Sequence, residues 1–186
     1  MLSLKKEILI FKNSPNSPAN KFIVKAAYCK YRLNFIDVAK TSRQEMLYKD
    51  TYFIKIWDES EPDIYGIGEC ALFKGLSSDD VPEYENVLAD VCRNIATVTP
   101  QDIADFSSIK FGVETAFADL CNGAMRIPFP SFWTEGKRVL TINGLVWMGN
   151  FKQMSDRIKE KLENGFKCIK LKIGGIDFES ELNLLK

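Results

Sequence analysis

Two lysines spaced two residues apart, Lys170 and Lys172, stand in the run Lys167-Cys168-Ile169-Lys170-Leu171-Lys172-Ile173-Gly174. Ile169, Leu171 and Ile173 alternate with them at the period of a β-strand, so the lysines share a face with Cys168. A strand of a parallel sheet is normally apolar on both faces. Two ammonium groups near its carboxyl end are costly unless that face opens onto water or substrate. Strand rise separates the two by ~6–7 Å. Where its surroundings favour the neutral amine, a lysine serves as a base near neutral pH. An amphipathic strand with solvated lysines has the same periodicity, so the pattern alone leaves both readings open.

Composition narrows the other chemistry. The 186 residues contain no histidine, which removes Ser-His and Cys-His nucleophilic schemes and the commonest zinc patterns. The five cysteines lack any Cys-x-x-Cys spacing, the usage of a reducing compartment, here the cytoplasm. Balanced charge, 25 basic against 25 acidic side chains, gives no general attraction to nucleic acid or anionic membrane. No apolar run approaches the ~18 residues of a spanning helix, and no signal-peptide h-region precedes the first charges. Hydrophobic residues make up 46% of the chain, enough for a packed core. Gly174-Gly175 before a helix could offer amides to an anion, or be a plain strand–helix turn. Glu69 reads as a carboxylate that fixes a loop, with a catalytic role as the alternative.

The elements that must position these residues fall into two patterns. Residues 1–21, with Pro15 and Pro18 among Ser and Asn, read as a leader or loose loop. Strands are expected at Phe22–Phe35, Thr51–Trp57 and Ile64–Leu72, the last two close enough to pair antiparallel in a three-stranded meander. Asp80-Val81-Pro82-Glu83 fits a capping box for a helix running to about Ala96. Thr99-Pro100-Gln101-Asp102 opens a shorter helix. Ser108 caps a third, with apolar positions Ile109, Val113, Ala116, Phe117 and Leu120, and Gly123 ends it. Strands followed by helices make residues 22–125 an α+β domain. From 126 to 186 the pattern is strand (Arg138–Trp147), helix (Phe151, Met154, Ile158 and Leu162 on one stripe, stopping at Gly165), strand (Lys167–Ile173) and a helix from Asp177. That is a βαβ unit with parallel strands. A (β/α)₈ barrel takes ~200–250 residues, so this region is expected to be only the start of a truncated TIM-like barrel.

Three segments together resemble the enolase superfamily, in its muconate-lactonising-enzyme subgroup. Gly66-Ile67-Gly68-Glu69-Cys70-Ala71 resembles the G-x-G-E segment that closes the capping-domain sheet. Lys110-Phe111-Gly112-Val113-Glu114-Thr115-Ala116-Phe117-Ala118-Asp119-Leu120 resembles that domain's A-x-E-x-A-x-x-D-L helix. Lys170-Leu171-Lys172 resembles the K-x-K strand. Thr41-Ser42-Arg43 and Glu69 to Ser77 are most similar to the o-succinylbenzoate synthases of menaquinone biosynthesis.

The resemblance implies an amino-terminal capping domain followed by the start of the barrel. It also implies a lyase that removes a proton next to a carboxylate and then loses water. Lys172 is then the acid/base, and Lys170 the supporting cation near the carboxylate of a small-molecule substrate. Ser42, Arg43, Phe73 and Leu76, in loops 39–44 and 73–77, are the substrate-binding candidates. Family members use Mg²⁺, held by carboxylates on later barrel strands. Those ligands are expected to be absent from this chain, leaving it inactive alone. Dipeptide epimerases and N-acylamino-acid racemases share the K-x-K base and are alternatives. A non-catalytic binding domain is a third reading, for a gene that ends at Lys186.

Overall fold

A computed structural model describes residues 23–40 and 45–185. The leader at 1–21, and Ser42 and Arg43, lie outside the described residues. The elements, in order, are β1 (Val24–Lys40), β2 (Glu45–Asp58), β3 (Tyr65–Cys70), α1 (Tyr84–Arg93) and α2 (Ser107–Cys121), then β4 (Gly144–Val146), α3 (Phe151–Glu163), β5 (Ile169–Leu171) and α4 (Phe178–Leu184). They fall into two compact units. The first holds the described residues up to Leu33 together with Lys49–Lys137; the second holds those of 34–48 together with 138 onward.

β1, β2 and β3 form a three-stranded sheet in that order, with β2 and β3 antiparallel. β1 and β2 are longer than the apolar runs suggest, because ladder pairing is made by the backbone and tolerates Asn34 and Asp37. Along β2, Tyr52, Ile54 and Ile56 alternate into the core, where they meet Leu88 and Val91 of α1 and Ile109, Val113 and Phe117 of α2. All five of the expected apolar positions of α2 are buried, and Gly123, at φ +87°, follows its end.

Closest approach explains the glycines of β3. A Cβ on Gly66 would lie 1.9 Å from the Ala116 carbonyl oxygen, and one on Gly68 would lie 1.8 Å from that of Gly112. Helix α2 therefore rests backbone-to-backbone on β3, which only alternating glycines permit.

The helix caps differ from the expected ones. Asp80 accepts from Gly75 N–H at 2.6 Å, so α1 starts at Tyr84 with no side-chain cap. The Thr99 segment closes an isolated turn, with Thr99 N–H and hydroxyl on Asp102 Oδ2 at 2.7 and 2.8 Å, and does not propagate. Single turns are marginal without further helix to extend them. Ser108 does not accept a cap bond; its N–H and hydroxyl donate to Asp79 Oδ2 at 2.8 and 2.7 Å. The acceptor for the first turn of α2 thus comes from a distant loop.

In the second unit, β4 and β5 pair in parallel, with α3 between them in sequence. Asn150 and Gln153 form a reciprocal capping box on α3. Both strands have only three residues, shorter than the expected 138–147 and 167–173. Val139, Leu140 and Ile142 are exposed at 93%, 69% and 69%. β-Propensity makes a strand only where a neighbour supplies the ladder, and residues 139–143 have none among the described residues.

Candidate active site

The parallel register sets Leu145 opposite Lys170 and Val146 opposite Leu171. Lys170 is exposed on β5, and Lys172 is half-buried one residue past its end. Lys172 N–H donates to the Val146 carbonyl at 3.0 Å, continuing the ladder by one bond. Its ammonium nitrogen lies 3.6 Å from the centroid of the Trp147 ring, a cation–π contact. Trp147 is half-buried, and its carbonyl accepts from Arg157 of α3 at 3.3 Å. The K-x-K pair thus differs in its surroundings: one lysine is solvated, the other is seated on an aromatic face.

The amides of Gly174 and Gly175 are taken by the chain itself. Glu181 of α4, 6% exposed, accepts from both through Oε1, at 2.5 and 3.2 Å. The pair of amides is therefore a pinned strand–helix turn and not an open anion cradle. Asp177 caps α4 by accepting from Ser180 N–H at 3.0 Å. Among the described residues no group of three or more Asp, Glu, Cys or His side chains is placed to hold a metal ion.

In the first unit, Phe73 and Leu76 share one tight loop. Leu76 and Ser77 N–H both donate to the Phe73 carbonyl, and Phe73 N–H donates to Ser77 Oγ at 2.9 Å. Gly75 takes the left-handed conformation at φ +74° that the turn requires. Leu76 is exposed, whereas Phe73 is half-buried beneath Lys49, whose nitrogen is 4.6 Å from the ring centroid. Lys49 also donates to Glu69 Oε1 at 3.0 Å, and Thr51 Oγ1 donates to the same oxygen at 2.8 Å. Burial raises the Glu69 pKa, but the Thr51 hydroxyl and the Lys49 ammonium outweigh it and hold the carboxyl below its ordinary value. Glu69 is therefore spoken for by its neighbours.

Asp119 of the A-x-E-x-A-x-x-D-L-like helix is wholly buried. It accepts from Ile67 N–H on β3 at 3.0 Å, and from Arg126 N–H and guanidinium at 2.6 and 2.7 Å. That role is structural. Cys70 and Cys92 are pushed by burial to about 12 and about 11, so neither supplies a thiolate nucleophile.

Sequence reasoning did not single out Lys49, Asp79, Glu181 or Trp147. Trp147 alone had a sequence signal, as the last residue of the strand expected to pair beside Lys172.

A small antiparallel sheet packed on helices, then a parallel strand pair around a helix, is the architecture of the amino-terminal portion of enolase-superfamily enzymes, which the chain resembles. MenC from Desulfotalea psychrophila matches with a TM-score of 0.65 at 26% identity, over 87% of this chain and 51% of that one. A dipeptide epimerase from Cytophaga hutchinsonii, solved with Mg and the dipeptide D-Ala-L-Val, shares the fold, with a TM-score of 0.56 at 18% identity over 82% and 45% of the two chains. No family model matches the chain.

At the level of the particular enzyme, the chain is 30% identical to the o-succinylbenzoate synthase of Desulfotalea psychrophila over 86% of its own length. It spans about half of that relative, 52%.

Proposed function

We propose that this chain forms the amino-terminal part of an o-succinylbenzoate synthase, a cytoplasmic lyase of menaquinone biosynthesis, with residues 22–125 as its capping domain and 126–186 as the start of its barrel. The observation that carries the reading is Lys172, seated at the carboxyl end of a parallel strand pair in a chain 30% identical to a curated synthase. Carboxyl ends of parallel barrel strands are where substrates bind.

Lys172 takes the proton from the carbon beside the substrate carboxylate, and the electron pair of that C–H bond moves onto the carboxylate, returning to form the new ring double bond as the neighbouring C–O bond breaks. Hydroxide then leaves the neighbouring carbon and departs as water, with the Lys172 ammonium as the proton donor. Lys170, exposed on β5, supplies positive charge near the carboxylate. Phe73, Leu76, Ser42 and Arg43 are the substrate-binding residues that the resemblance to the synthases implies. A bound Mg²⁺, as the resemblance implies, would supply positive charge for the carboxylate as negative charge develops on it. Among the described residues no group of three or more Asp, Glu, Cys or His side chains is placed to hold such an ion, and the resemblance assigns its ligands to later barrel strands.

The test is steady-state turnover of the full-length gene product with Lys172→Ala, Lys172→Arg and Lys170→Ala. General acid–base groups contribute about 10²–10⁴-fold, so Lys172→Ala falls by at least that. Lys172→Arg fails with it, because guanidinium stays protonated. Lys170→Ala acts mainly through KM. Near wild-type turnover by Lys172→Arg would show that the base is another group. Exchange of an α-proton on a dipeptide, with no dehydration, would move the assignment to a dipeptide epimerase, whose fold the chain shares.

A further inference from the structure

The ammonium of Lys172 is held by a ring and not by a carboxylate. Among the described residues no acidic side chain pairs with it, while Trp147 lies beneath its nitrogen at 3.6 Å. The backbone of Lys172 is bound to Val146, the residue next to Trp147. One strand end therefore grips both the main chain and the head group of the lysine. Lysine has four rotatable side-chain bonds, so its nitrogen has a defined place only where something restrains it. A carboxylate would restrain it but bind the proton as well. An indole face orients the nitrogen through its quadrupole and accepts no proton.

The main chain of Trp147 is itself held. Arg157 holds the Trp147 carbonyl, and the ring N–H is buried without a hydrogen-bond partner. Leaving a buried donor unmatched costs stability, so the ring's N–H bonding did not select its position. The face it turns to Lys172 is the contact that position provides.

We propose that Trp147 is a positioning residue for Lys172, the rest on which the base is held at the carboxyl ends of β4 and β5. This rests on the reading of Lys172 as the proton carrier.

Two measurements on the full-length gene product separate the contact from the chemistry. The first is reductive methylation with limiting formaldehyde and cyanoborohydride, read by peptide mass spectrometry at Lys172 against Lys170 in the same sample. In the wild type, Lys172 reacts more slowly than Lys170. Trp147→Leu brings the two rates together, and Trp147→Phe keeps most of the protection. Equal rates in the wild type, or unchanged protection in Trp147→Leu, overturn the proposal.

The second is the kcat and KM split, with the variants matched for melting temperature. Misplacing a reacting group by about 1 Å can cost about 100-fold. Trp147→Leu therefore lowers kcat roughly 10- to 100-fold with KM changed by less than about threefold. Trp147→Phe, which keeps an aromatic face, recovers to within about fivefold of wild type. A kcat for Trp147→Leu within about twofold of wild type, or a Phe variant as impaired as the Leu variant, overturns the positioning role. If Lys172→Arg keeps its turnover, the reading beneath the proposal falls, and the positioning role falls with it. The methylation arm still reports whether the contact exists, so the two failures are told apart.

Discussion

Glu69 shows at the residue scale how a conspicuous carboxylate is absorbed by its surroundings. Its Oε1 receives both Thr51 and Lys49, and Lys49 in turn covers Phe73. The net effect is a carboxyl held below its ordinary value of 4.5. A depressed folded-state pKa stabilises the fold above the unfolded-state value, and that stabilisation is lost as pH falls through the folded-state value. Glu69→Gln is therefore expected to destabilise the chain at pH 7. The gap from wild type should close as pH drops below about 4.5, towards complete protonation. Urea unfolding of both proteins at pH 7, 5 and 3.5 checks this; a gap that stays constant with pH would assign the loss to packing.

The contact of β3 with α2 is decided at the element scale. Gly66 and Gly68 face Ala116 and Gly112 across a distance that has no room for a Cβ. Gly68→Ala forces the helix off the strand, and overpacking of this kind typically costs about 1–3 kcal/mol, occasionally more. The same motion strains the Asp119 bond to Ile67, so the upper end of that range is expected. Gly136→Ala is the contrast: its φ is +70°, but a Cβ there meets nothing within 4 Å. Only the left-handed backbone is penalised, at about 1–2 kcal/mol. Thermal unfolding of the two variants should therefore rank Gly68→Ala well below Gly136→Ala. Equal losses would mean that conformation, and not contact, governs both sites.

For the whole molecule, the last of the chain's passages from one unit to the other falls at Lys137–Arg138. Residues 132–143 are exposed and carry no helix or strand. Exposed irregular segments are where proteases cut first. Trypsin at limiting dilution is expected to cleave at Lys137 or Arg138 before Lys110, which lies within α2. First cleavage within α2 would mean that the core of the first unit opens more readily than the connector. The second unit also exposes Phe178 and Leu185, at 68% and 69%, as well as Val139, Leu140 and Ile142. Under the proposed function that apolar surface is where further barrel strands and helices pack.

The local pattern of the chain was sufficient for the order of elements apart from the short helix expected at Thr99, and for the α2 core stripe, the parallel character of the last strands and the lysine pair. Each of these is written in neighbouring residues: a period of two or of 3.6, a glycine after a helix, two lysines two residues apart. Long-range partners were decided elsewhere. No local signal says that Asp79 caps α2, that Asp80 serves Gly75 and not α1, or that Glu181 fills the amides of Gly174 and Gly175. A carboxylate binds whichever N–H the fold brings within reach, and loops bring in donors that sequence distance conceals. Strand length was misjudged for the same reason, because the apolar run at 138–143 lacks a ladder partner among the described residues. The seat of Lys172 on Trp147 was likewise invisible in the K-x-K spacing: only the parallel register sets the end of one strand beneath the end of the next.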